Sequence, residues 1–319
     1  MSGKKFTFWF TPVIYITGIM ILISIVLTIQ GFSDQDKNLP AAEKSPILYP
    51  AFEVPEELSF AGEEVPLEDY DIRESLDREM LINGYFHSRT IFILKKSRRY
   101  FSVIEPVLKK YGVPDDFKYL AMVESDLDNV VSPAQAVGVW QLLEGTAKEY
   151  GLEVNSYVDE RYHLEKSTEA ACKYILASYK IYGSWTLAAA SYNMGRNNLD
   201  KEISRQLTGN YYDLLLNDET ARYIYRVLAH KMLTENPEYF GFHIEESDYY
   251  SIIKSSKLTI ESAIPNIAEF AAKQSVSYKI LKQLNPWLRQ NTLPDNTKVY
   301  EISIPEPGQR SFTSTDQLN

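Results

Sequence analysis

The sequence predicts a mainly α-helical protein in three parts. An apolar N-terminal helix comes first, then a helical domain, then a small α+β unit. Three observations carry this reading. Residues Phe6 to Ile29 contain no charged side chain. From Asp71 to about Phe240, apolar residues recur at threes and fours, with glycines and prolines at the breaks. After Gly241, the stretches Lys257 to Ile264 and Lys298 to Ile304 alternate as strands do, and two short helical stretches lie between them.

A chain of 319 residues has room for about two domains with a buried core. Apolar residues at 45% and charged residues at 24% exclude global disorder. A formal net charge of -10 lacks the basic footprint that nucleic acid requires, so no nucleic-acid partner is expected. Cys172 is the only cysteine and cannot form an internal disulfide. The four histidines have no ligand spacing, so neither a metal nor a cofactor is expected. Aromatics reach 13%, which suits packing and also sugar-binding platforms.

The first run spans 24 residues. At about 1.5 Å per residue, a helix of that length crosses a ~30 Å hydrocarbon core. Lys4 and Lys5 precede it, and Asp34 and Asp36 follow. That charge order leaves the N-terminus in the cytoplasm and exports the rest. Residues 1–30 are therefore expected to be a single-pass inner-membrane anchor with the remainder in the periplasm. A cleaved signal peptide is the rival reading, but its apolar region runs about 7–15 residues, and Ile29-Gln30-Gly31 is a poor cleavage site. Residues 31–70, with Pro40, Pro46, Pro50, Pro55 and Pro66 among acidic residues, read as a stiff tether.

Residues 71–244 form the predicted helical domain. Helices are expected over Leu76 to Asn83 and Ile91 to Tyr111, the second ending at Gly112. Pro114 with Asp115 and Asp116 opens the next. A helix from Gln141 to Tyr150 stops at Gly151, and a long one runs from Ser167 to Gly183. Glu219 near the start and Lys231 near the end suit the dipole of another. Residues 245–305 hold the strand–helix–helix–strand unit, too small for an extensive core and read as an appended binding module. Residues 306–319 are polar and expected to be disordered.

The helix opened by Pro114 places Phe117, Leu120, Ala121 and Glu124 on one face. A carboxylate on an otherwise apolar face is paired, or has its pKa raised by desolvation, or turns out to water from the helix end. In the raised form it holds a proton near neutral pH and can give it to a glycosidic oxygen. Two further segments are weaker taken singly. Ser132-Pro133-Ala134-Gln135-Ala136-Val137-Gly138-Val139-Trp140-Gln141 permits close backbone approach and supplies an aromatic plane and an amide. Ala188-Ala189-Ala190-Ser191-Tyr192-Asn193-Met194-Gly195 puts Tyr-Asn after a tightly packing run.

In order and spacing these segments resemble the lytic transglycosylases of the goose-lysozyme-like fold, membrane-bound D type. Four motifs stand in the family order. They are Glu124-Ser125; Gly138-Val139-Trp140-Gln141 with Thr146-Ala147 and Tyr150-Gly151-Leu152 behind it; Ser191-Tyr192-Asn193-Met194-Gly195; and Glu219-Thr220-Ala221-Arg222-Tyr223-Ile224. Val158-Asp159-Glu160-Arg161 and Ser167-Thr168-Glu169-Ala170-Ala171 fit the same subtype, and the similarity covers roughly Asp77 to Phe240. It implies a lysozyme-like helical domain with Glu124 as the single acid/base. It also implies substrate contacts at Ser132, Gln141, Tyr192, Asn193 and Tyr223, with the Tyr223 hydroxyl bonded to the acid. Departures occur at Gln135, Leu143-Glu144, Tyr162-His163 and Ser191.

The C-terminal unit resembles a divergent LysM module, a fold that binds N-acetylglucosamine polymers. Ile267-Ala268, Val276, Leu281, Leu284-Asn285-Pro286 and Tyr300-Glu301-Ile302-Ser303-Ile304-Pro305 fit, while Ala263-Ile264-Pro265-Asn266 stands where Gly-Asp is usual. The combined expectation is an enzyme that cleaves the MurNAc–GlcNAc bond of peptidoglycan without water, leaving 1,6-anhydro ends. A hydrolytic muramidase and an inactive peptidoglycan-binding scaffold are the alternatives. Asp126 and Asp128 are the obvious candidates for a second carboxylate. Two residues on from Glu124 a side chain points away on a helix and across on an extended segment, so solvated loop acids are the expectation for both.

Overall fold

A computed structural model describes residues 50–295 and 298–310. The expected anchor, the tether up to residue 49, and residues 311–319 of the tail lie outside the described residues. Among the described residues no helix is long and apolar enough to cross a membrane.

The helical domain follows the periodicity closely. Helix α1 (Tyr70–Tyr85) and helix α2 (His87–Tyr111) are followed by a short 3-10 turn and helix α3 (Lys118–Ser125). Gly112 closes α2 in the left-handed region, as expected. Helix α4 (Glu144–Glu149) is shorter than predicted, because residues 138–143 form a turn in which Gln141 takes a positive φ of 45°. Helix α5 (Leu164–Tyr182) starts three residues before Ser167, with His163 as its cap, and ends at Gly183. Helices α6 (Trp185–Met194) and α7 (Arg196–Gln206) follow. The helix expected around Glu219 to Lys231 is two, α8 (Asp218–Ala221) and α9 (Tyr223–Glu235), broken at Arg222. The largest wholly buried side chains include Leu76, Ile104, Phe117, Leu120, Trp140 and Tyr223, so α1, α2, α3 and α9 share one core.

The domain begins earlier than its expected boundary at residue 71. Phe52 packs on Tyr85 and Phe240, and strands β1 (Ser59–Phe60) and β2 (Glu63–Glu64) form an antiparallel hairpin. Phe60, Val65 and Leu67 are buried in the main core. The prolines here shape an ordered strap, because its intervening apolar residues find a surface to cover. The strap also caps a helix. The Glu63 carboxylate accepts hydrogen bonds from the backbone N–H groups of Trp185 and Thr186 at 2.5 and 2.9 Å, and from the Ser184 and Thr186 hydroxyls. It satisfies donors that the first turn of α6 leaves open and places an anion at the positive end of that helix.

The C-terminal unit has strands β3 (Ser255–Ile260) and β4 (Tyr300–Pro305) paired antiparallel around helices α10 (Ile267–Lys273) and α11 (Tyr278–Leu284). Asn266 and Ser277 cap the two helices with their side chains. The appended unit shares its core with the helical domain. Val137, Val158 and Tyr162 of the helical domain are buried in the same cluster as Ile267, Leu281 and Ile302. A unit this small completes its core by borrowing apolar surface from its neighbour.

Candidate active site

Glu124 stands one residue before the end of α3 and is half-buried. Phe117, Leu120 and Ala121, on its face of the helix, are fully buried. The helix is held by its apolar side, and the carboxyl emerges at the core's edge. The Tyr223 hydroxyl, from the first turn of α9, donates to Glu124 Oε1 at 2.5 Å. Burial pushes the Glu124 pKa up to about 7; the Tyr223 hydrogen bond and Arg226 oppose the rise, and Glu219 adds to it. Desolvation is thus the dominant cause, and the carboxyl holds its proton for a large fraction of the time at neutral pH. Burial, and then the Glu124 charge, drive the Tyr223 and Tyr192 hydroxyls well above the ordinary tyrosine value. Both therefore stay protonated.

Ser125 ties the acid's helix to the next motif, its hydroxyl donating to the Val139 carbonyl at 2.8 Å. The loop from Ser132 to Leu142 folds on itself. Ser132 Oγ accepts from the Ala136 N–H at 3.0 Å, and Gln141 Nε2 donates to the carbonyls of Gly138 at 2.7 Å and Val130 at 3.1 Å. Gly138 has φ 83°, and a Cβ there would lie 2.1 Å from the Arg161 carbonyl oxygen. The small residue is required both by its backbone angle and by that close approach. Trp140, which supplies the aromatic plane of this segment, is fully buried, with its indole N–H donating to Thr168 Oγ1 at 2.8 Å.

Helix α6 brings the third motif. The Tyr192 hydroxyl donates to the Trp140 carbonyl at 2.6 Å, and its ring meets Tyr174 edge-on. Asn193 Oδ1 accepts from the Thr220 hydroxyl at 2.7 Å, and its Nδ2 donates to Glu219 Oε1 at 3.3 Å. Asn193, Met194, Glu219 and Thr220 line a cavity of about 330 Å³. Glu124, Tyr192 and Tyr223 are therefore gathered at one point. Asn193 adjoins them through α8, while the Ser132 and Gln141 side chains brace their own loop.

Asp126 and Asp128 are directed to cations of α2. Asp126 accepts two hydrogen bonds from the Arg89 guanidinium, at 2.8 and 2.6 Å, and Asp128 pairs with Lys96 at 2.7 Å. Two charged groups at the site escaped the sequence reading of roles. Glu219 lies within electrostatic reach of Glu124, as does Arg226. The Arg226 guanidinium stands 5.8 Å from the Tyr223 ring centre and donates to the Glu219 carbonyl, while its buried Nε has no hydrogen-bond partner among the described residues. The signal was the spacing, since Arg226 follows Tyr223 by three and shares its face. Cys172 is fully buried, and burial pushes its thiol up to about 12, which makes it inert.

Residues 102–214 match the family model described as "Transglycosylase SLT domain". Residues 256–308 match the "Soluble lytic transglycosylase C-terminal LysM-like domain". The chain is 27% identical over 257 residues to a protein named membrane-bound lytic murein transglycosylase D from Escherichia coli strain K12, and equally to its counterpart in Escherichia coli O6:H1. These matches cover 78% of this chain and 55% of each relative. The chain thus spans about half the length of the curated relatives it matches.

Proposed function

We propose that this chain, with its SLT-type transglycosylase domain and LysM-like C-terminal domain, is a peptidoglycan lytic transglycosylase. One observation carries the reading: a desolvated carboxyl, Glu124, with its pKa raised to about 7 and held by Tyr223, inside the segment that matches the transglycosylase SLT domain. Glu124 in its protonated form gives its proton to the oxygen between N-acetylmuramic acid and N-acetylglucosamine. The bond from C1 to that oxygen breaks. The resulting carboxylate takes the proton of the C6 hydroxyl on the same muramic sugar, and that oxygen bonds to C1. The product is the 1,6-anhydro sugar, and Glu124 is protonated again. The attack is intramolecular and gains proximity over water. Tyr223 orients the carboxyl, while Tyr192, Asn193 and the loop that Ser132 and Gln141 brace form the face that meets the sugars. The membrane-bound relatives support a membrane anchor, and the uncharged run Phe6 to Ile29, with Lys4 and Lys5 before it, supports an inner-membrane one with the domain in the periplasm.

Mass analysis of the sugar ends released from purified peptidoglycan tests this. The expected muramic ends are one water lighter than reducing ends. Glu219 favours a second reading, hydrolysis with Glu219 as the base that activates water. Under the transglycosylase reading, Glu219→Gln keeps the anhydro product and lowers the Glu124 pKa by removing a neighbouring negative charge. Reducing ends carrying oxygen from labelled solvent, abolished in Glu219→Gln, would establish the muramidase.

The pH profile follows from the same groups. Activity that needs protonated Glu124 falls as pH rises through about 7. Tyr223→Phe removes a hydrogen bond that favours the ionised form, so the alkaline limb of kcat/KM moves to higher pH. An alkaline limb that stays in place or moves down in Tyr223→Phe would contradict this arrangement.

A further inference from the structure

The C-terminal module meets the helical domain through main chain as well as side chains. The Asp159 N–H donates to the Trp287 carbonyl at 2.9 Å, and the Arg289 N–H donates to the Tyr157 carbonyl at 2.8 Å. Leu288, 1% exposed, forms a bridge with Val158, itself 1% exposed. The Arg289 guanidinium lies 4.0 Å from the Tyr162 ring centre. Ionic contacts flank the seam, Lys257 to Glu165 at 2.9 Å and Lys298 to Glu153 at 2.8 Å.

The segment so gripped, residues 157–162, is the one on which the active-site loop rests. Asp159 holds Arg161 in a two-point pair at 2.9 and 2.8 Å, buried on both sides. Arg161 Nη1 in turn donates to the loop carbonyls of Gln135 at 3.2 Å and Leu142 at 3.3 Å. The Arg161 carbonyl fills the space left by the missing side chain of Gly138. Val137, inside the loop, is buried in the module's own core. The loop then reaches the acid through the bond from Ser125 to Val139 and reaches Tyr192 through the Trp140 carbonyl. Every link is a hydrogen bond or a buried contact between directional or close-packed groups, which transmit displacement poorly damped.

We infer that the C-terminal module is a positioning element of the active site, holding the Ser132–Leu142 loop in register with Glu124 through Asp159 and Arg161. This rests on the proposed activity, and it assigns the module a role beyond any binding of glycan. Trp287, Leu288, Asp159 and Arg161 are positioning residues, since they act through the loop and touch no substrate. A tethered binding module would leave turnover of soluble substrate untouched when it is loosened. A positioning module would not, because a misplacement of about 1 Å at a reacting centre costs up to about 100-fold.

The test uses the full chain with Leu288→Ala and the stronger Leu288→Asp. Native-state amide exchange is read at Asp159 and Arg289, which report the seam, at Val137, Gly138 and Leu142, which report the loop, and in α5 as a control. Turnover of soluble peptidoglycan oligomers is measured well below the unfolding temperature. We expect faster exchange at the seam and the loop together, α5 unchanged, and kcat/KM lower by roughly 10- to 100-fold. Faster exchange at the seam with unchanged loop exchange and unchanged turnover would overturn the inference. Leu288→Ala decides the matter if Leu288→Asp loses protection in α5 as well. The exchange data do not depend on activity. A wild-type protein that leaves peptidoglycan intact would therefore sink the proposed function and leave this coupling to be judged by exchange alone.

Discussion

Glu124→Gln is expected to lower peptidoglycan cleavage by roughly 10²–10⁴-fold, the usual contribution of a general acid/base. The amide matches the carboxyl in shape and still accepts from Tyr223, but it can neither give up nor retake a proton. Turbidity loss of cell-wall suspensions measures the effect. Thermal unfolding on the same samples separates lost chemistry from lost fold, and here the pKa sets the sign. The folded protein holds the Glu124 proton up to about pH 7, whereas an ordinary glutamate releases it near 4.5. Between those values the folded state binds more protons than the unfolded one, so this carboxyl makes stability fall as pH rises. Glu124→Gln, uncharged throughout, should match the wild type below about pH 4.5 and exceed it in melting temperature above pH 7. Substantial residual cleavage in a well-folded variant would remove Glu124 from the mechanism.

Gly138→Ala is expected to be the most damaging single-methyl change in the helical domain. The residue has φ 83°, and the new Cβ would stand 2.1 Å from a backbone carbonyl oxygen of Arg161. The left-handed angle alone costs roughly 1–2 kcal/mol for a side chain. The clash adds to that, because backbone held by the Asp159 pair has no flexible end to swing away. A total of roughly 3 kcal/mol or more places this among the severe substitutions. For a domain of this size that corresponds to a fall in melting temperature of about 10 °C. Turnover should fall further than the folded fraction does, because relief of the clash moves the loop that Ser125 joins to the acid. Calorimetry and activity at a common temperature below both transitions check this. A stability loss below about 1 kcal/mol would show that the close approach is not maintained in solution.

Much of the site was legible in the chain because it is built from local patterns. The face made by Phe117, Leu120, Ala121 and Glu124 follows from helical periodicity, and those three apolar partners are buried as that pattern requires. The glycine at 138 and the Ser-Tyr-Asn run advertised close approach. What periodicity left open was whether Glu124 turned outward or inward. That depended on Tyr223, 99 residues away in sequence, and on how much water the surrounding helices exclude. The remaining differences have the same origin. The aromatic plane of Trp140 turns into the core because Thr168 receives its N–H, and nothing local reveals that partner. The strap from Phe52 to Leu67 looked like tether because Pro55 and Pro66 stand among five glutamates, while its apolar residues acquire meaning only against Tyr85, Phe117 and Phe240.

By itself, then, the sequence determined most of the helices, the glycine stops at Gly112 and Gly183, the strand–helix–helix–strand order of the C-terminal unit, and the apolar face that carries Glu124. Each of these is set by spacing within a few residues, where backbone geometry fixes which side chains share a face. Tertiary structure alone decided the rest. It raised the Glu124 pKa by desolvation, turned Asp126 and Asp128 away to Arg89 and Lys96, and brought Glu219 and Arg226 within reach of the acid. It also seated the C-terminal unit on residues 157–162. These are long-range matters of burial, charge pairing and shared core. They depend on which surfaces meet in three dimensions, and no local pattern encodes that meeting.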